Sequence, residues 1–65
     1  MKQITGKELC KILAKNGWQQ VRISGSHHIF MKPNKNDRIS VPVHANRNIK
    51  IGLLKAILKI AEINI

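Results

Sequence analysis

Sixty-five residues hold one folding unit at most, and 12 Lys+Arg against 3 Asp+Glu give the chain a formal net charge of +9 at pH 7. A chain this short buries only about 60% of its extended-chain surface, so its core is small, and cover from a partner or a second copy would add to it. The single cysteine, Cys10, excludes a disulfide framework and fits a reducing compartment.

The longest apolar stretch, Ile49 to Ile65, is broken by Lys50, Lys55, Lys59 and Glu62, so it reads as amphipathic rather than membrane-spanning. Met1 to Thr5 has no apolar signal core, and the expected location is the cytoplasm. The positive charge points first to nucleic acid, whose phosphates reward a basic surface, and an acidic protein partner is compatible with it.

Thr5-Gly6-Lys7-Glu8 matches a capping box and opens a first helix, with Ile4 and Leu9 flanking the cap. Leu9, Ile12 and Leu13 form its apolar stripe, and Asn16-Gly17 ends it. Lys7, Lys11 and Lys15 repeat at i, i+4 as a basic ridge. Trp18 to Ser24 alternates as a half-buried strand, with Val21 and Ile23 on one face and Gln20, Arg22 and Ser24 on the other.

Gly25-Ser26 is a two-residue hairpin loop, leading into a second strand from His27 to Lys32. Pro33-Asn34-Lys35-Asn36-Asp37 is dense in turn formers. Arg38 to Val43 is a third strand with Ile39, Val41 and Val43 inward, and Pro42 makes it an edge. After the polar His44 to Asn48, Leu53, Leu54, Ile57, Leu58 and Ala61 mark a second helix from about Lys50 to Glu62. The fold class is α+β: a single domain over residues 1–65 in the order α-β-β-β-α, with a three-stranded antiparallel sheet, both helices on one face and the other face free.

The hairpin register decides the histidines. A two-residue loop pairs Ser24 with His27, Ile23 with His28, Arg22 with Ile29 and Val21 with Phe30. His28 and Phe30 then lie under the helices, while His27 joins Arg22 and Ser24 on the open face. A three-residue loop exchanges the two histidines. The two-residue loop is preferred because it puts the only phenylalanine in the core. It leaves Ile29 and Met31 as exposed apolar groups suited to docking a protein.

His27 is the candidate catalytic group, since imidazole can take a proton from a ribose 2′-hydroxyl or give one to a leaving oxygen. His28 reads as a satisfied, partly buried histidine. His44 is a candidate second acid/base or phosphate contact. Together with Ser26, the basic residues Arg22, Lys32, Arg38 and Arg47 complete the candidate RNA contacts. The histidines lack metal spacing and carboxylates are few, so no metal or cofactor is expected. Cys10 reads as a small packing residue rather than a nucleophile. With Trp18 and Phe30 inside, the chain lacks an aromatic platform for stacking bases.

Gly17-Trp18, then Gly25-Ser26-His27-His28-Ile29-Phe30, then Val41-Pro42-Val43-His44, in that order after a helix carrying Lys7-Glu8-Leu9, resemble the HicA toxins of bacterial toxin–antitoxin pairs. The resemblance spans essentially the whole chain. It implies a double-stranded-RNA-binding-domain-like fold and a ribosome-independent endoribonuclease acting on mRNA. It also implies a catalytic histidine at His27 and a HicB-type antitoxin that covers the site. Family members often open the last helix with Gly-Thr and close it with Ala-Gly. Here these places hold Gly52-Leu53 and Ala61-Glu62. The rival readings are a non-catalytic RNA-binding module and a small basic protein that mainly binds a partner.

Overall fold

The computed structural model describes residues 3–64. Met1, Lys2 and Ile65, which belong to the N-terminal stretch and the C-terminal apolar run read above, lie outside them. The order is α1 (Gly6–Lys15), β1 (Gln19–Ser24), β2 (His27–Met31), β3 (Arg38–Pro42) and α2 (Ile51–Ala61). The strands form one antiparallel sheet in the order β1-β2-β3, so β3 is an edge, as Pro42 requires.

Helix α1 begins as its sequence dictates. The Glu8 amide donates to Thr5 Oγ1 at 3.2 Å, and the Thr5 amide donates to Glu8 Oε1 at 2.9 Å. It ends in a Schellman turn: Gly17, at φ 89°, lets the Trp18 amide reach back to the Leu13 carbonyl at 3.0 Å. That turn carries Trp18 into the core just ahead of β1.

The core joins both helices to one face of the sheet. Leu9 and Leu13 of α1 and Leu54, Ile57, Leu58 and Ala61 of α2 close over Phe30, Ile39 and Val41. Trp18 Nε1 is buried there with no hydrogen-bond partner among the described residues. Val43 is half-buried against the same cluster, and an isolated bridge between Thr5 and Asn48 ties the start of α1 to the connection before α2. No helix among the described residues is long and apolar enough to cross a membrane.

Two expectations fail. Val21 does not pair with Phe30: a bulge between Gln20 and Arg22 puts Gln20 opposite Phe30 and leaves Val21 as the extra residue. A bulge leaves one residue unpaired and sharpens the local twist. Gln20 therefore moves to the helix side of the sheet; Ile23 keeps its expected place opposite His28, and yet it and Val21 are both about half exposed (54% and 53%) instead of buried. Leu53, expected on the apolar stripe of α2, is 42% exposed. The inward face of that helix is made by Leu54, Ile57, Leu58 and Ala61 alone.

Candidate functional site

The β1–β2 turn is the two-residue loop. Ser24 pairs with His27 and Ile23 with His28, and Gly25 at φ 60° occupies the first central position. Positive φ at that residue alone is the type II′ pattern, which glycine adopts without a Cβ clash. The Ser26 carbonyl then accepts from the Val43 amide at 2.8 Å, so the turn is tied to the chain leaving β3.

This register separates the two histidines. His28 is opposite Val41 on the helix side, half-buried, and its Nδ1–H donates to Gln20 Oε1 at 2.9 Å. His27 is opposite Pro42 on the open face and exposed. Its Nδ1 lies 3.2 Å from Ser40 Oγ, on the adjacent strand.

Three cross-strand rows make the open face: Ser24–His27–Pro42, Arg22–Ile29–Ser40 and Gln19–Met31–Arg38. Arg22 therefore stands one row from His27 on β1, while Arg38 stands two rows away on β3, opposite Met31 and about 13 Å along the sheet at the usual rise of a strand. Ile29 and Met31 lie between them on β2, both half-buried rather than fully exposed, because neighbouring strands shield an inner strand from both sides. None of the three strands contains Asp or Glu. The face can hold an anion without internal competition from carboxylates.

The remaining candidates fall in three places. Ser26 forms the turn itself. His44 follows the residue bonded to Ser26, at the His27 end of the sheet, and the Arg47 amide donates to its carbonyl at 3.0 Å in an exposed connection. Lys32 stands apart: its side chain lies against Gly17 and close enough to Glu62 to lower that carboxyl's pKa, which puts it on the helix side. It is also five residues from His27 along β2, roughly 16 Å at the usual rise of a strand.

Cys10 is half-buried against the core, and burial pushes its thiol pKa up, opposite to what a nucleophilic thiolate needs. Among the described residues no three His, Cys, Asp or Glu side chains gather as a metal-binding group. Ser40 was not legible as a site residue: a lone serine in a strand carries no local signal, and only the β2–β3 register brings it to His27.

The profile of the family described as HicA toxin of bacterial toxin–antitoxin matches residues 6–63, which covers α1 through α2. No curated protein shows a significant match to the chain.

Proposed function

The chain belongs to the HicA toxin family, which gives it a toxin's role and a cognate antitoxin as partner, and from that premise we propose that it is an endoribonuclease that cuts mRNA with His27 as its reacting side chain. The observation that carries this reading is the placement of His27: exposed on the helix-free face of the sheet, one nitrogen held by Ser40, with Arg22 one row away and Arg38 further along the same face.

The chemistry is transesterification followed by release. His27 Nε2 takes the proton of a ribose 2′-hydroxyl as that oxygen attacks the adjacent phosphorus. A new 2′-O–P bond forms and the P–O5′ bond breaks. The imidazolium returns the proton to the leaving 5′-oxygen, which leaves a 2′,3′-cyclic phosphate and a 5′-hydroxyl. Arg22, one row from His27, neutralises charge that builds on the phosphoryl oxygens, and Arg38, two rows away, holds a phosphate further along the strand. Ser26, His44 and Arg47, at or beyond the hairpin end, hold flanking phosphates. Lys32, on the other side of the sheet, is outside this contact set.

A single positioned acid/base group contributes roughly 10²–10⁴-fold, so the turnover is slow. Slow cutting still stops translation when each cut destroys a message. Antitoxin bound over the open face, with Ile29 and Met31 as its apolar contacts, blocks the site directly.

The test is cleavage of a labelled mRNA in excess chelator by the parent and by His27→Ala, with circular dichroism on both. Cleavage by the parent alone is the expected result. Equal cleavage by a folded His27→Ala protein would sink the assignment, and binding by both without cleavage by either would make the chain an RNA-binding module.

A further inference from the structure

We propose that Ser40 is the positioning residue for His27: its hydroxyl accepts from Nδ1–H and aims Nε2 at the RNA. This rests on His27 being the reacting group.

An imidazole that works as a general base needs one nitrogen held so that the other presents its lone pair in a fixed direction. Carboxylates usually supply that hold. Here no strand offers one. The residue directly opposite His27 on β3 is Pro42, which has no polar side-chain atom. Ser40 is the next residue of β3 on the same face, diagonal to His27 across the ladder, and its Oγ is 3.2 Å from Nδ1. The charged groups of that face are Arg22 from β1 and Arg38 from β3, both cations, and both helices lie on the other face.

A hydroxyl suits the whole cycle. It accepts from Nδ1–H when the ring is neutral with a free Nε2 lone pair, and it still accepts from Nδ1–H after Nε2 has taken the 2′ proton. The ring need not turn between the two half-steps. The backbone at both ends of the contact is fixed: Ser40 sits mid-strand, and the Ser26 carbonyl preceding His27 is bonded to Val43 at 2.8 Å.

The experiment compares the parent, Ser40→Ala and Ser40→Thr in single-turnover cleavage of one labelled RNA, and reads the tautomer of the His27 ring from its nitrogen NMR shifts without RNA. Ser40 is exposed, so neither change threatens the fold. Ser40→Ala is expected to slow cleavage about tenfold, the loss of one hydrogen bond to a charged group, with RNA affinity unchanged. The Nδ1–H tautomer of the neutral His27 ring should lose population, because Nδ1–H loses its acceptor. Ser40→Thr should restore both. An unchanged rate in Ser40→Ala, with or without a change of tautomer, overturns the proposal. If the parent itself does not cleave, the nuclease reading fails and takes the catalytic role of Ser40 with it. An unchanged tautomer in that case shows that the contact is absent as well.

Discussion

Gly6 and Pro42 touch backbone to backbone: a Cβ on Gly6 would overlap the Pro42 carbonyl oxygen and press on Val43 Cα. The first residue of α1 thus packs on the end of β3, beside the strand position opposite His27. Gly6→Ala should destabilise the protein by about 1–3 kcal/mol through overpacking against backbone, although alanine is intrinsically the better helix former by about 1 kcal/mol. Urea unfolding measures it. A Gly6→Ala protein as stable as the parent would show that the contact can open freely.

RNA binding should divide the basic residues by face. Arg22→Ala and Arg38→Ala should each weaken binding and reduce the slope of log K against log salt by about one, the signature of a lost phosphate contact. Lys32→Ala should change that slope little. Titrations at several salt concentrations decide it, and a Lys32 effect equal to that of Arg38 would place the RNA track elsewhere.

The exposure of every residue of β1, against the buried Ile39 and Val41 of β3, predicts an asymmetry in the apolar residues. Ile39 is 1% exposed and Ile23 54%. Ile39→Ala should cost about 2–5 kcal/mol, a large part of the roughly 3–10 kcal/mol expected for a domain of this size. Ile23→Ala should cost less than about 1 kcal/mol. Comparable losses at the two sites would mean that β1 is buried in solution.

The contrast between these two isoleucines marks where local reasoning ends. Thr5 and Glu8, Asn16-Gly17 and Gly25-Ser26 act through hydrogen bonds and φ preferences within a few residues, so the first helix and the two-residue hairpin were readable directly. The alternation of Ile39 and Val41 was equally plain. Val21 and Ile23 alternate just as cleanly, yet β1 is an outer strand whose bulge depends on how the sheet twists under the helices. No neighbour of Val21 in sequence records that. Ser40 is hidden for the same reason: its relation to His27 spans 13 residues and exists only through strand pairing.

The end of α2 carries a separable prediction. Glu62 has φ 58°, a left-handed conformation that favours glycine, while the Ile63 amide closes a Schellman turn on the Leu58 carbonyl at 3.0 Å. Glu62→Gly should therefore raise the urea midpoint, even though it removes the 2.8 Å ion pair with Lys35. A lower midpoint would mean that the ion pair outweighs the backbone.

The same ion pair fixes a pH dependence. The hydrogen bond from Lys35, and then its charge, hold the Glu62 carboxyl below the usual glutamate range. A depressed folded-state pKa contributes stability that is present above the unfolded value and lost as pH falls through the folded one. Glu62 is exposed, so solvent screens the pair and the effect on stability is small. The direct measurement is the Glu62 carboxyl titration by NMR. Its midpoint should rise in Lys35→Ala, and an unmoved midpoint would show that the pair does not form in water.

All three acidic residues of the chain lie off the sheet: Glu8 in α1, Asp37 ahead of β3 and Glu62 after α2. Two copies meeting through their open faces would set arginine against arginine, so a self-capped, silent toxin dimer on this face is electrostatically disfavoured. Restraint has to be encoded in a different polypeptide. The carboxylates missing here, spaced to meet Arg22 and Arg38 on either side of a small apolar contact, are the pattern to look for in the antitoxin's own sequence.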